Sequence, residues 1–247
     1  MSSSKMTRIQ YPSATGPYKV CLKNSVPWHG ASEARLHISV GKPAVEGGKL
    51  FAFCEWAAER FPHSVLVVSD TLQRFNVMRE TLADECLAAS MCRNSGDEWL
   101  RRNRVSISRL RNVEILRWDD ALAKSDTGMA LTRLVEHYDA DTGFRNALDA
   151  WVERFCSRLE SRGAVSAETA KIARDYSRAF LMEELAVFSW LCKPDGVDVY
   201  PGTSMQDVFA ALHVHEDEFF DAFRRDRLLI DYERNKAYSP LTFSVAA

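Results

Sequence analysis

The chain has 247 residues, of which 46% are hydrophobic and 27% are charged, and its formal net charge is −2. This length and composition are typical of a globular protein with one large core, and the charge argues against nucleic-acid binding by the protein surface as a whole. No run of about 18 apolar residues is present, so no transmembrane helix is expected.

Residues 1–17 are predicted to form a flexible tail, because they lie at a terminus and lack the apolar centre of a signal peptide. Residues 18–247 are predicted to form a single α/β domain. The predicted strands are, in chain order, 18–22, 35–40, 65–69, 113–118 and 197–200. Helices are predicted at 48–61, after Asp70, from a capping box at 95–98, and at 143–159, 167–191, 204–212 and 216–225.

Strands and helices alternate in the first half of this pattern, which predicts a parallel sheet flanked by helices, with right-handed crossovers. The continuous apolar run at 65–69 is typical of a buried parallel strand. No repeat or interdomain linker interrupts the chain.

The most informative segment is 35–43, which has the pattern of a short strand that ends in a glycine-proline turn. Alternation places Arg35, His37 and Ser39 on one face of this strand. Open α/β sheets bind ligands at the carboxyl ends of their strands, and Gly41 frees the backbone that follows the serine. Ser39 is therefore a candidate nucleophile. The alternative is a serine whose hydroxyl bonds its own turn.

A second segment lies on a long helical stretch late in the chain. Tyr176, Phe180 and Glu184 follow one another at a spacing of four residues, so they share one helix face. A carboxylate aligned with two aromatic rings is expected to be buried and to take part in chemistry. The alternative is an ordinary acid on the helix surface, which is the interpretation given to the neighbouring Glu183.

A serine after a strand, an aromatic residue four positions before a glutamate on a late helix, and a Tyr-Pro pair beyond that helix occur in this order. By this ordered set the chain resembles the tRNA-dependent cyclodipeptide synthases, in the branch whose signature ends in Tyr-Pro. Ser39 falls on the family's nucleophile, Glu184 on its helix glutamate, and Tyr200 and Pro201 on its Tyr-Pro pair. The resemblance extends from residue 18 to residue 225 by the order and spacing of these elements.

Two positions differ from the common pattern of the family. Lys42 falls on the position that varies between its branches. The family usually has tyrosine four residues before the glutamate, where this chain has Phe180. Tyr176 lies one turn earlier, where its hydroxyl would occupy a different place.

The resemblance implies a single catalytic domain with a Rossmann-like sheet, similar to the catalytic domain of class I aminoacyl-tRNA synthetases. It implies two aminoacyl-tRNA substrates, which are joined into a diketopiperazine through aminoacyl and dipeptidyl esters of Ser39. Glu184 would hold the substrate's ammonium group and take protons, and Tyr200 would relay a proton. Backbone amides around Gly41 and Lys42 would stabilise the oxyanion.

No cofactor and no metal are expected. The chain lacks the His-x-Gly-His and Lys-Met-Ser-Lys-Ser signatures of class I synthetases, a Walker A loop and a G-x-G-x-x-G motif, so ATP and NAD are not supported. Its six cysteines form no C-x-x-C pair, and none has a histidine at zinc-ligand spacing. Scattered cysteines favour a reduced, cytoplasmic setting. A monomer is expected.

Arginines are concentrated between residues 101 and 117, where Glu114 is the single acid. The family places a basic helix at this point to hold the tRNA acceptor arm. The residues predicted to bind tRNA are Arg101, Arg102, Arg104, Arg109 and Arg111. The alternative is a solvated helix face.

The predicted substrate pocket consists of Arg35, His37, Gly41, Lys42 and Pro201. In the family, residues two and four before the nucleophile help to line the pocket for the first aminoacyl side chain. A buried arginine needs a partner, and a substrate partner would make the first amino acid acidic or hydrogen-bonding. Alternatively, Arg35 points to solvent or is neutralised within the protein, and then carries no information on specificity.

Two other functions stay open. Phe180 in place of the family's tyrosine would suit a non-catalytic tRNA-binding protein of the same fold. Ser39 would suit a serine esterase, although the sequence offers neither G-x-S-x-G nor an Asp/His pair that can be assigned to it.

Overall fold

The structure, a computed structural model, describes residues 10–11, 16–24, 28, 30–161, 169–191, 195–202, 205–213, 218–224, 227–236 and 238. The strands of this part of the chain are β1 (Gln10–Tyr11), β2 (Tyr18–Leu22), β3 (Glu33–Ser39), β4 (His63–Ser69), β5 (Val113–Arg117), β6 (Gly196–Pro201) and β7 (Arg227–Arg234). They form one sheet in the order β1-β2-β7-β6-β3-β4-β5.

The helices are α1 (Gly47–Ala58), α2 (Arg74–Thr81), α3 (Glu85–Ile107), α4 (Trp118–Leu122), α5 (Ser125–Ala140), α6 (Thr142–Ser161), α7 (Ala170–Leu191) and α8 (Gln206–His213). Short 3₁₀ helices cover Pro43–Val45, Thr71–Gln73 and Glu218–Arg224. The expected helix after Asp70 is therefore present as a 3₁₀ turn followed by α2.

The predicted fold class, a Rossmann-like sheet flanked by helices, is confirmed, but the sheet is mixed rather than wholly parallel. Strands β7, β6, β3, β4 and β5 run parallel to one another. β2 runs antiparallel to β7, and β1 antiparallel to β2. The sequence does not predict a strand at Arg227–Arg234, so this antiparallel edge is a finding of the structure.

Strand β3 lies at the centre of the parallel part, and its two faces have different neighbours. Leu36 and Ile38 belong to the apolar core that includes Phe53 and Trp56 of α1. The opposite face turns toward α7, where the ring of His37 meets Phe188 with 5.2 Å between centroids. Alternation along β3 therefore directs the polar residues of this strand to the α7 side.

The predicted capping box at 95–98 is wrong, because these residues lie inside α3. The helix begins after Asp84, whose carboxylate accepts a hydrogen bond from the backbone N–H of Leu87 at 2.9 Å. Ser95 instead donates its hydroxyl to the carbonyl of Met91 at 3.0 Å, within the helix. The Ser-x-x-Glu spacing also occurs inside helices, where serine bonds the preceding turn.

Part of the predicted tail is ordered as a strand, since β1 pairs with Val20 and Cys21 of β2. Some other parts of the predicted elements lie outside the described residues. They are 1–9, 12–15, 167–168, 204, 216–217 and 225.

Candidate active site

A cavity of about 340 Å³ lies at the carboxyl ends of β3, β4 and β6, where α6 and α7 also contribute to its walls. This position is the usual ligand site of an open α/β sheet, and the volume suits a small molecule. From the predicted site, the cavity brings together His37, Ser39, Lys42, Phe180, Glu184, Tyr200 and Pro201. Arg35 and Gly41 do not line it.

Ser39 is the last residue of β3 and lies opposite Ser69 of β4 in the strand register. The chain then turns back, with the backbone N–H of Lys42 donating to the carbonyl of Ser39 at 3.2 Å. Gly41 makes this turn with φ of +88°, a left-handed conformation that favours glycine. Gly41 thus acts through the backbone that carries Ser39 and Lys42, not through the cavity wall.

Glu184 faces the cavity from α7 and is half-buried. Burial raises the pKa of its carboxyl to about 7, against the opposing charges of Lys42 and Arg227. A carboxyl whose pKa is raised toward neutral pH suits a group that both takes and gives protons. Phe180, one turn earlier, packs its ring on Phe75 with 6.4 Å between centroids.

Tyr200 reaches the cavity from the end of β6, between two other rings. Its ring stacks on the imidazole of His37, with centroids 4.2 Å apart and planes 12° apart. Phe188 meets Tyr200 edge-on at 5.9 Å. This packing fixes the plane of the phenol, and hence the direction of its hydroxyl.

A buried network that the sequence analysis missed lies beneath these rings. Asp198 of β6 accepts hydrogen bonds from Nε and Nη2 of Arg35, both at 3.1 Å. Its Oδ1 also lies 2.7 Å from Nε2 of His37. Arg35 is only 1% exposed, so its partner is a protein carboxylate and not a substrate. The prediction that Arg35 lines the substrate pocket is therefore wrong, and Arg35 carries no information on the identity of the first amino acid.

The charges of this network follow from its geometry. Burial lowers the pKa of His37, against the opposing effect of Asp198, so the imidazole is neutral at pH 7. Burial would raise the pKa of Asp198, but the hydrogen bond from His37 and the charge of Arg35 hold it well below its usual range. The network also supplies the Asp/His pair, next to Ser39, that was not assignable from sequence.

Glu183, interpreted from sequence as a surface acid, is buried and does not line the cavity. It forms an ion pair with Arg74, with Nη1 and Oε1 2.8 Å apart, and accepts a hydrogen bond from Nε1 of Trp118 at 2.7 Å. Glu183 can be buried because an arginine and an indole N–H reach its carboxylate. Neither of these partners is near Glu183 in the sequence, so the sequence does not indicate the burial.

The predicted tRNA-binding arginines differ in whether other groups of the protein already contact their guanidinium groups. Arg101 and Arg104 of α3 and Arg111 are exposed. Arg102 is held by Glu46, with Nη2 and Oε1 2.8 Å apart, and the guanidinium of Arg109 lies over the ring of Phe51 at 5.1 Å. Arg117, in the same arginine-rich stretch, binds Asp70 and Asp97.

Residues on α6 were also missed, because a helix of ordinary amphipathic pattern gives no sign of which residues meet a distant sheet. Trp151, Phe155 and Arg158 of this helix line the cavity. Within the described ranges, no cluster of His, Cys, Asp and Glu side chains could hold a metal ion. No helix in that part of the chain has both the length and the apolar character required to span a membrane.

No family model matches the chain, and no curated protein matches it. Solved structures do match. A CDPS (cyclodipeptide synthase) from Fluoribacter dumoffii superposes with a TM-score of 0.76 at 23% identity, and the match covers 89% of this chain and 99% of that one. A cyclodipeptide synthase from Candidatus Glomeribacter gigasporarum, bound to Phe-tRNAPhe, gives a TM-score of 0.61 at 16% identity and covers 87% and 93%.

A Mycobacterium tuberculosis protein is a third match, with a TM-score of 0.56 at 15% identity and coverage of 90% and 96%. Its structure relates cyclodipeptide synthetases to type I tRNA synthetases. At these identities the likeness concerns the fold. The chain therefore has the fold of the cyclodipeptide synthases, over nearly the full length of each solved structure.

Proposed function

We propose that the chain is a tRNA-dependent cyclodipeptide synthase of the branch with the Tyr-Pro signature. The observation that carries this proposal is that Ser39, Glu184 and Tyr200, from distant parts of the sequence, line one cavity at the strand ends of a sheet with the synthase fold. The substrates are two aminoacyl-tRNAs, and the product is a diketopiperazine.

In the first step, Ser39 attacks the ester carbonyl of one aminoacyl-tRNA. The bond from its Oγ to the carbonyl carbon forms, the bond from that carbon to the ribose oxygen breaks, and the serine proton ends on the ribose oxygen. The ester arrives already activated, so the step needs no ATP. A covalent intermediate divides one difficult transfer into two easier ones.

In the second step, the amino group held on Ser39 attacks the ester of a second aminoacyl-tRNA and gives a dipeptidyl ester. The new terminal amine then attacks the Ser39 ester, which closes the six-membered ring and frees the serine. Each amine must lose a proton to react. Glu184, with its pKa near 7, is suited to hold the ammonium group and then accept that proton.

Phe180 takes no part in proton transfer, because it lacks the hydroxyl of the family's usual tyrosine. Glu184 then accepts the amine protons, with the hydroxyl of Tyr200 as a relay, and Phe180 contributes only an apolar part of the cavity wall. For tRNA, the exposed arginines Arg101 and Arg104 of α3 are the proposed contacts with backbone phosphates.

A second candidate, a serine esterase, is favoured by one observation, the Asp198–His37 pair beside Ser39. In that case water and not an amine would attack the Ser39 ester. The third candidate, a non-catalytic tRNA-binding protein, would form neither product.

Mass spectrometry of the products separates the three. The full-length protein is incubated with a mixture of charged tRNAs, and the supernatant is compared with a sample without protein. Cyclodipeptides support the synthase. Free amino acids in excess of spontaneous hydrolysis support the esterase, and neither product supports the binding protein.

A further inference from the structure

We propose that His37 is the proton acceptor for Ser39, acting through one bridging water when the serine attacks an ester. The inference rests on the proposed function, because the proton in question is the one that Ser39 loses on acylation.

The first observation is the orientation of the imidazole. Its Nε2 is 2.7 Å from Oδ1 of Asp198, and the fully ionised carboxylate there can only accept, so Nε2 carries the hydrogen. Nδ1 is then the basic nitrogen. No described residue hydrogen-bonds to Nδ1, and the ring lines the cavity.

The second observation is that the carboxylate itself is held. Two hydrogen bonds from Arg35, each 3.1 Å long, occupy both oxygens of Asp198 and prevent it from turning. Arg35 lies directly opposite Asp198 in the pairing of β3 with β6. A fixed carboxylate sets the imidazole's tautomer and orientation, as the third group of a catalytic triad does.

The third observation is the spacing of His37 and Ser39. They lie two residues apart on one face of β3, so their Cα atoms are about 6.6 Å apart. No hydrogen bond joins the two side chains directly. This separation suits a proton transfer through one water, which is an accepted geometry for a general base.

Burial lowers the pKa of His37 despite the opposing effect of Asp198, so the imidazole is neutral and ready to accept a proton. The ionisable groups around it are Arg35 of β3, Asp198 and Tyr200 of β6, Arg227 of β7, and the cavity residues Lys42 and Glu184. Burial and the two buried arginines disfavour the imidazolium at rest, while Asp198 stabilises it once a proton arrives.

As Ser39 Oγ bonds to the ester carbon, its proton passes to the water, and a proton of that water passes to Nδ1. The imidazolium returns a proton by the same route to the ribose oxygen when the carbon–oxygen bond breaks. No oxidant, metal or further reactant is consumed.

Two variants separate this role from a structural one. His37→Phe retains a ring that can stack on Tyr200 but cannot bond Asp198. His37→Gln retains an amide that can donate to Asp198 but does not stack. Neither is a base. The exposed His63→Phe is the matched control, because it makes the same chemical change away from the cavity.

The measurement is the single-turnover rate at which one radiolabelled aminoacyl-tRNA labels the protein, with thermal unfolding recorded for each variant. We expect both His37 variants to acylate at least about 100-fold more slowly than wild type, the lower end of what a general base contributes. His63→Phe should match wild type. A His37 variant within about threefold of wild type would overturn the inference, whichever structural contact it retains. If wild type itself is not labelled, the proposed function fails first.

Discussion

Two neighbouring glutamates on α7 have opposite surroundings. Glu183 is paired with Arg74 and bonded by Trp118, whereas Glu184 faces the cavity and has a raised pKa. The same substitution, carboxylate to amide, should therefore change stability in opposite directions at the two positions.

Glu184→Gln should make the protein more stable at alkaline pH. The folded-state pKa of about 7 lies above the ordinary value of 4.5, so the native state binds more protons between these values and wild-type stability falls as pH rises through this window. The variant avoids this loss. Its free energy of unfolding should exceed that of wild type by up to about 3 kcal/mol at pH 8, with no difference near pH 4. Product formation should fall sharply.

Glu183→Gln is the matched control for that experiment. It removes one member of a buried ion pair and should lower the free energy of unfolding by about 3–5 kcal/mol at pH 7. Urea denaturation at pH 4, 7 and 8 measures both variants. A Glu184→Gln protein that is less stable than wild type at pH 8 would contradict the raised pKa.

Gly196→Ala should disrupt the network beneath the cavity. A Cβ at Gly196 would clash with Nη1 of Arg35, so the guanidinium would have to leave its position beside Asp198. We expect a loss of stability of about 1–3 kcal/mol, the usual cost of overpacking, together with slower acylation. Gly128→Ala is the control. It lies in α5 with nothing near its Cβ, and should stabilise the protein by about 1 kcal/mol. Unchanged thermal stability in Gly196→Ala would contradict the close packing.

The sequence identifies candidate residues when a local pattern marks them. It does not identify residues whose role depends on a partner that is distant in the sequence. The sequence predicts Ser39 and Glu184 as site residues because a strand end and a helix spacing mark them, and both line the cavity. Asp198 is not predicted, because its role depends on its contacts with Arg35 and His37 of the neighbouring strand. A single sequence does not give the order of the strands in a sheet.

Among the helices and strands, α3 is the proposed contact with tRNA, and substitutions in it test this contact. Replacing Arg101 and Arg104 together with alanine should weaken tRNA binding and reduce the slope of log affinity against log salt concentration by about 1.5, or 0.7 to 0.9 for each lost phosphate contact. Arg102→Ala should change the slope less, because its guanidinium is already held by Glu46. Filter binding between 50 and 200 mM salt, a range of roughly fourfold, measures both. A double variant with the wild-type slope would contradict the proposed phosphate contacts and would indicate that this face of α3 is simply solvated.

The elements themselves were largely predictable where the pattern is long and periodic, as for α6, α7 and the five predicted strands. The failures have specific causes. The start of α3 was placed at Ser95 because a capping-box spacing also fits the interior of a helix, whereas Asp84 caps the true start. β7 was not recognised, and its antiparallel pairing with β2 depends on contacts between the two ends of the chain.

At the scale of the whole molecule, the fold explains why these residues meet. The parallel strands β3, β4 and β6 end at one edge of the sheet, and α6 and α7 cover that edge. Ser39, Tyr200 and Glu184 each reach it from a different element. The proposed function places an aminoacyl ester on Ser39 at this edge of the sheet.

Intact-protein mass spectrometry after a rapid acid quench tests for this ester. Wild type mixed with a single aminoacyl-tRNA should gain the mass of one aminoacyl group, and peptide mapping should place it on Ser39. Ser39→Ala, with thermal unfolding like that of wild type, should gain none. A wild type that gains no mass with any aminoacyl-tRNA, or a Ser39→Ala protein that gains the same mass, would contradict the account.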